Sequence, residues 1–477
     1  MQLIVGFDLD LTLIDPRAAV VAVATQVAGE EGVEVDAGLW ASRLGPPLET
    51  ELAHWVVPER IVPAAARYRE LMAELGGPLI TLLPGAAEAV AAVRASGGRV
   101  IVVTAKSEPL ARRALADLSV EVDAVVGSRW AEGKAEALLE HGATVYVGDH
   151  PGDVRAARAA SALCVGVGTG GVPPVGADVL LDDLTGFPAW FAGHLLGVRL
   201  TALEVSLSGL EGLLVAFSGG ADSAFLLAAA VRALGPERVV AATAVSPSLA
   251  AEELPAAVAF AGSLGVRHLT PMTDELSREG YVANGSDRCF HCKATLLDTL
   301  GPLAQSLGLS AVATGTNADD AVAGFRPGIH AAAERGALTP LLDAGLTKAQ
   351  VRQASRRWGL ETADKPALAC LASRLAYGLP VTPAGLARVD RAERALRAYL
   401  GAVGDVRVRD LGAGVARVEL DAEALTRWDE DALAVVRREG FTAVTAGEFR
   451  SGSMNDAPHV ASSPAKVVSA LRAGESG

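Results

Sequence analysis

The chain is predicted to be an α/β protein, with two Rossmann-like parallel-sheet units followed by a small α+β domain. Short apolar strands alternate with helix-period segments from LIVGFDLD (3–10) onward, which implies βαβ units rather than hairpins. The alternation starts afresh at GLLVAFSGG (212–220), and its character changes after Ala376. At 477 residues the chain is longer than one hydrophobic core organises. The expected domains are 1–192, 198–375 and 376–477.

The first unit offers strands at LIVGFDLD, RVIVVTA, VDAVVGS, TVYVGD and ADVLLDD. Between the first two, residues 16–83 have helical periodicity and few strand signals, so they are expected to form a helical cap over the carboxyl edge of the sheet. A stretch around Pro188 to Leu200 is expected to close the unit, with a helix near 198–210 leading onward. The second series runs through RVVAATAV, VRHLTPM and SAVATGT. The tail reads as an amphipathic helix (LARVDRAERALRAYL), strands DVRVRDL and GVARVEL, a helix, and strand TAVTAGEF. A last helix with a frayed end is expected from about Ser463.

The net charge of −14 is uneven. Residues 1–197 hold 14 Lys+Arg against 25 Asp+Glu, and residues 198–477 hold 28 against 31. An acidic front half argues against nucleic acid there, since phosphate binding needs a basic footprint. The opening MQLIVGFDLDLTLID has no basic n-region and is broken by Asp8, so it reads as a strand rather than a signal peptide. No apolar run reaches the ~18 residues of a membrane span. Four cysteines in this length make no disulfide framework. The expectation is a cytoplasmic homo-oligomer with a small-molecule nucleotide substrate, no membrane partner and no nucleic acid.

Asp8 and Asp10 end the first strand, where ligands of open α/β sheets bind. A carboxylate nucleophile with a second acid two residues on can attack a phosphoryl group and protonate its leaving group. Thr104 ends the next strand, Lys134 stands at a helix start, and Asp149 and Asp153 follow a later strand. A hydroxyl and an ammonium suit phosphate oxygens, while clustered carboxylates suit Mg²⁺. Any one of these is ordinary structure alone; four in the right order are not. This set resembles the haloacid dehalogenase superfamily, in particular its phosphoglycolate-phosphatase-like branch with a helical cap. The resemblance covers roughly residues 1–190. It implies Asp8 as nucleophile, Asp10 as general acid/base, Thr104 and Lys134 on the phosphate, and Asp149 or Asp153 with Asp8 on Mg²⁺.

In the second unit, LLVAFSGGADSA runs from a strand through Ser218, Gly219, Gly220, Asp222 and Ser223 into a helix. Two glycines permit close backbone approach to an anion, and the helix-start N–H groups point at it. Without a G-x-x-x-x-G-K-[ST] pattern this is not a Walker A loop. It resembles the PP-loop of ATP pyrophosphatases (adenine nucleotide alpha hydrolase-like), which adenylate an oxygen so that nitrogen or sulfur can displace it. Further motifs are Arg288-Cys289-Phe290-His291-Cys292-Lys293, the run from Lys365 through Cys370 to Arg374, Gly315–Asp320, Arg326–Gly328, Gly345–Ala349, Val406–Arg409 and Phe449–Asn455. Together they resemble LarE, the sulfur-inserting enzyme of nickel-pincer cofactor synthesis, from about residue 205 to 457.

That resemblance implies ATP-dependent sulfur transfer to pyridinium-3,5-biscarboxylic acid mononucleotide through an acyl-adenylate. It assigns Asp222 to Mg²⁺, Arg374, Arg407 and Arg409 to the substrate phosphate, and Glu393 to the site as a polar residue. An exposed strand face of period two is the plain alternative for Arg407 and Arg409. Cys289, Cys292 and Cys370 supply three thiolates for a 4Fe–4S cluster with one open iron. A zinc site completed by His291 is a second reading, and a sacrificial cysteine a third, although the sacrificial position falls on Ala369. Cys164 reads as a core thiol. Ala376 departs from the proline often found before Tyr377-Gly378, with only a local loop effect expected. The rival readings are thiolation or amidation of tRNA or another nucleotide, and a non-catalytic nucleotide-binding scaffold.

Overall fold

The computed structural model describes residues 3–170, 174–322, 327–366, 369–401 and 404–450. The chain divides into two compact units, Met1–Leu195 and Leu196–Gly477. The boundary falls inside one helix, Phe187–Ser208. The expected closing stretch to Leu200 and the separate helix near 198–210 are therefore a single element. Pro188 stands in its first turn, where a missing N–H breaks no intrahelical bond.

The first unit is built on a six-stranded sheet. Its spatial order is Ala124–Val126, Arg99–Val103, Ile4–Phe7, Val145–Gly148, Leu163–Val167, Val179–Leu181, and every pairing is parallel. Side chains alternate between two buried faces: Val5, Phe7, Val100 and Val102 join one core, and Ile4, Ile101, Val103 and Tyr146 join the other. A parallel sheet covered on both faces needs near-continuous apolar strands, and the sequence has them. The chain leaves Ile4–Phe7 first to one side and later to the other, so the topological switch lies at this strand's carboxyl end.

The cap consists of helices Arg17–Glu31, Ala37–Ser42, Leu48–Leu52 and Pro58–Leu75. Its two stems, Ile14–Asp15 and Thr81–Leu82, pair antiparallel. Asp36 caps the second helix by accepting from Leu39 N at 2.8 Å, and Pro58 opens the fourth. Trp40 and Tyr68 stack at 5.5 Å and knit the cap together.

The second unit holds a four-stranded parallel sheet in the order Arg267–Leu269, Val239–Ala242, Leu213–Ala216, Ala311–Thr314. It also holds a three-stranded sheet, with Val406–Gly412 antiparallel to Val415–Leu420 and Ala443–Glu448 parallel to the latter. Helices Pro383–Leu400 and Glu430–Arg438 supply apolar faces to that sheet's core. Tyr281, Leu371, Ala372 and Leu375 belong to the same core, which therefore reaches back before Ala376. The helix expected from Ser463 and residues 451–455 of the Phe449–Asn455 motif lie outside the described residues, as does Arg326. Among the described residues no helix is long and apolar enough to cross a membrane.

Candidate functional sites

Three strand ends converge in the first unit. Asp8 follows Phe7, Thr104 follows Val103, and Asp149 follows Gly148. Helix Pro151–Ala159 adds Asp153, which is fixed reciprocally: its Oδ2 accepts from His150 N at 3.0 Å, and His150 Nδ1 accepts from Gly152 N at 2.9 Å. A Cβ at Gly148 would lie 2.4 Å from the Asp153 carboxyl carbon, so only glycine admits that approach. Lys134 reaches in from helix Glu132–His141, its Nζ 2.7 Å from Asp153 Oδ1 and 3.0 Å from Asp8 Oδ1. Thr12 Oγ1 donates to Asp149 Oδ1 at 3.0 Å.

All of these groups are buried. Oxygens of Asp8, Asp149 and Asp153 lie within 4.8 Å of one another. Burial pushes the Asp8 carboxyl up to about 7, with Lys134 opposing and Asp153 adding. Burial pushes Asp149 up to about 8, with Asp8 and Asp153 adding and the Thr12 hydrogen bond opposing. Burial works against the Lys134 ammonium, but Asp153 and Asp8 hold it above the ordinary lysine range. Three carboxylates against one ammonium leave two negative charges in a dry site, a donor set that fits a divalent cation.

Asp10 stands further out, 3.1 Å from Lys106 Nζ. Asp8, Asp10 and Thr104 form the floor of a cavity of about 390 Å³ beneath the cap. Lys106 was missed in the sequence. Its only signal was its place two residues past Thr104.

In the second unit Ser218–Ser223 turns from Leu213–Ala216 into helix Ala221–Leu234. Gly219 has φ +74°, which a side chain would strain. Ser223 Oγ donates to Gly220 O at 3.0 Å and lies 3.1 Å from Ser218 Oγ. Lys365 Nζ donates to Gly219 O at 3.0 Å and to Glu253 Oε2 at 2.9 Å. The N-cap is Gly220, which has no side chain to cap the first-turn N–H groups, and N–H groups at a helix start suit an anion. That cavity, about 780 Å³, is lined by Ser218, Gly220, Asp222, Ser223, Lys348 and Cys289, among others. Asp222 Oδ1 is buried and takes no hydrogen bond among the described residues. Burial raises the Asp222 carboxyl, with Lys348 opposing and Asp320 adding.

Helix Arg288–Ser306 carries Cys289 and Cys292 in its first turns. Cys289 and Cys370 are exposed and Cys292 is half-buried. Burial pushes the Cys292 thiol up to about 12, with Cys370 the next cause and Cys289 a smaller one. Among the described residues, only the Asp8 set brings three ligand atoms within 4.8 Å, so the three sulfurs are neighbours without that closeness. His291 Nε2 faces Asp287 Oδ2 at 3.3 Å. Cys164 is a buried core thiol.

The tail residues lie in a buried charge network. Glu393 accepts from Arg374 Nε at 2.9 Å and from Val408 N at 2.9 Å. Arg374 also donates to Ala369 O and, at 3.3 Å, to Cys370 O, which wraps it around the cysteine's loop. Arg409 pairs with Glu419 at 2.9 Å and Arg407 with Asp405 at 3.1 Å. All three arginines are buried, so the exposed-strand alternative for Arg407 and Arg409 does not hold. Ala376 is buried, its N–H donating to Asp410 O at 2.9 Å.

Two further residues hold the Cys370 loop. Asn284, fully buried at φ +56°, donates through Nδ2 to Ala376 O at 2.8 Å and Leu379 O at 2.9 Å. Its Oδ1 accepts from Arg288 Nη1, which also donates to Ala372 O at 2.8 Å. An Asn-Gly dipeptide signals a turn in sequence, but nothing local signals this long-range clasp.

The first unit thus has the architecture and acidic site of a capped phosphoryl-transfer hydrolase, and the haloacid dehalogenase-like hydrolase family model matches residues 5–158. Two relatives match over 268 residues, longer than the whole first unit. An uncharacterized Synechocystis protein, slr1717, is 41% identical over 55% of this chain and 98% of its own length. The pyridinium-3,5-bisthiocarboxylic acid mononucleotide synthase of Lactiplantibacillus plantarum is 33% identical over 55% of this chain and 95% of its own length. The tyrosine-protein kinase PtkA of Mycobacterium tuberculosis is 31% identical over 35% of this chain and 62% of its own length. The chain belongs to the LarE-like family of that synthase and carries a haloacid dehalogenase-like domain as well.

Proposed function

We propose that the second unit activates a carboxylate of a pyridinium mononucleotide with ATP and replaces it with a thiocarboxylate. The carrying observation is a single cavity lined by both the Ser218–Ser223 loop and Cys289, with the unpartnered Asp222 oxygen beside them. The carboxylate oxygen attacks the α-phosphorus of ATP; a new P–O bond forms as pyrophosphate leaves. Sulfur then attacks the acyl carbon, and a C–S bond forms as the C–O bond to AMP breaks. Loop amides and Lys365 grip the phosphates, Asp222 would hold Mg²⁺, which would neutralise phosphate charge, and Arg374, Arg407 and Arg409 orient the substrate's phosphate end. Glu393 fixes Arg374.

The thiol set fits an iron–sulfur cluster better than zinc. A structural zinc takes four protein ligands, whereas three thiolates on a four-iron cluster leave one iron open for a sulfide. Cys289, Cys292 and Cys370 would hold the cluster, which would supply the sulfur. Ala369 at the sacrificial position agrees. The test is anaerobic incubation with ATP, Mg²⁺, sulfide and the biscarboxylate nucleotide. Pyrophosphate release and a thiocarboxylate product are expected; no pyrophosphate with any nucleotide carboxylate would end this reading, and dehydroalanine at Cys370 would replace the cluster by a sacrificed thiol.

For the first unit we propose phosphomonoester hydrolysis. Asp8 Oδ attacks phosphorus as the ester P–O bond breaks, and Asp10 passes its proton to the leaving oxygen. Water then attacks the aspartyl phosphate, Asp10 takes the proton, and phosphate leaves. Thr104 and Lys134 hold the phosphoryl oxygens. Asp8 with Asp149 or Asp153 would hold Mg²⁺, which neutralises phosphoryl charge when bound. Likeness to a protein named as a tyrosine kinase favours one rival, phosphoryl transfer to a protein hydroxyl; release of inorganic phosphate without protein labelling separates the two. The enzyme is proposed to be cytoplasmic and homo-oligomeric, with small-molecule substrates rather than nucleic acid.

A further inference from the structure

We infer that the first unit selects bulky phosphomonoesters whose leaving group carries a flat ring and a single carboxylate, and that Arg43 reads the carboxylate. The inference rests on the phosphatase reading above and deepens it by naming a substrate class.

The first observation is size and lining. A cavity of about 390 Å³ over Asp8 and Asp10 falls in the range of pockets that enclose a drug-sized ligand, far more than a two-carbon leaving group fills. Its walls include Trp40, Tyr68, Leu110 and Trp130. Trp130 is half-buried and rests on His150 at 4.9 Å, which holds a rigid indole at the cavity edge. Such a wall favours a flat, apolar ring.

The second observation is how the cations are spent. Three cationic side chains line the cavity: Arg43, Arg69 and Lys106. Lys106 is committed to Asp10 at 3.1 Å and Arg69 to Glu49 at 2.5 Å. Arg43 is different. Its Nη1 stands 3.8 Å from Glu51 Oε1, beyond hydrogen-bond reach, and that oxygen already accepts from Trp55 Nε1 at 2.9 Å. A guanidinium so loosely held keeps its paired donors for a ligand, in a geometry that matches a carboxylate. Among the described residues of the lining it is the one cation with no hydrogen-bonded carboxylate, held by Glu51 only at 3.8 Å, and such a cation suits one further negative charge, a carboxylate rather than a second phosphate. The phosphoryl group takes the floor beside Asp8 and Thr104, so the carboxylate belongs at the cap end, where Arg43 stands.

Nicotinate and nicotinamide mononucleotides test this directly, because they differ only in carboxylate against carboxamide. With the full chain and Mg²⁺, kcat/KM for the nicotinate compound is expected to exceed that for the nicotinamide compound at least tenfold, and to exceed that for 2-phosphoglycolate. Arg43→Ala should bring the nicotinate-to-nicotinamide ratio close to one, and Arg43→Lys should restore part of it. The ratio is taken within each variant, so a smaller folded fraction cancels. Equal rates in the wild type, a ratio that survives Arg43→Ala, or a preference for 2-phosphoglycolate overturns the inference. Turnover of p-nitrophenyl phosphate alongside any of these leaves the phosphatase reading standing. No turnover even of that ester removes the phosphatase reading, and the inference with it.

Discussion

In the first unit Asp8, Asp149, Asp153 and Lys134 are buried against one another, and each has a charged or hydroxyl partner within 3.0 Å. In the second, Asp222 Oδ1 is buried and takes no hydrogen bond among the described residues, and two of the three motif cysteines are exposed. The first site is closed around its charges and needs only a cation to balance them. The second is a wider cavity whose lining includes a polar loop and a cysteine. On the functions proposed above, a site that repeats one step on one ester can be built in advance, whereas one that admits ATP, a second nucleotide and sulfur stays open.

The largest expected effect breaks the comparison at its closed end. Asp8→Asn removes the nucleophile and should lower phosphate release by about 10⁴-fold or more, leaving pyrophosphate release from ATP unchanged; equal phosphate release from both proteins would show that Asp8 does not form the covalent bond. At the open end, Asp222→Asn should slow ATP-dependent pyrophosphate release by about 10²–10³-fold, measured with saturating Mg²⁺. A loss under tenfold would move the metal elsewhere.

Next come the effects on stability. Lys134→Ala leaves three buried carboxylates without their ammonium and should cost the first unit about 3–5 kcal/mol, read by denaturant melts in chelator. Mg²⁺ should rescue that variant more than the wild type. Asp8 and Asp149 titrate near 7 and 8 in the fold against an ordinary 3.8. The native state therefore keeps protons that the unfolded chain has already released. In chelator, stability should fall as pH rises from about 4 to about 8, and Mg²⁺ should abolish that slope. A melting temperature in chelator that rises over this range would contradict the buried-carboxylate account. The smallest effect belongs to the Cys370 loop. Asn284→Ala strips hydrogen bonds from Arg288 and three carbonyls, and should cost about 2 kcal/mol while quickening alkylation of Cys370.

Position along a strand made much of the closed site legible. Asp8, Thr104 and Asp149 follow apolar strands, and in a parallel sheet that alone brings their side chains to one edge. The helical cap was readable for the same reason, as a long helix-period insert between two strands. Arg43 and Asn284 were not readable. Their roles depend on neighbours distant in sequence or set by packing, Glu51 and its Trp55 hydrogen bond in one case and the carbonyls of residues 375, 376 and 379 in the other. The tail arginines were found by motif, yet their burial and their pairing with Glu393 and Glu419 arise from packing between elements that sequence spacing does not encode. The one long helix Phe187–Ser208 was read as a closing stretch and a separate helix from about 198, because the change from one strand series to the next does not reveal a helix that runs across it.

The amide of Asn284 spends both of its polar ends inside the protein, giving to three carbonyls and receiving from one guanidinium. Aspartate would turn an oxygen toward those carbonyls, leucine would leave every neighbour dry, and glutamine is one methylene too long for a pocket with no exposed surface. The loop that follows the third thiol is thus moored to the helix that carries the other two through an amide and a guanidinium rather than through the cysteines themselves.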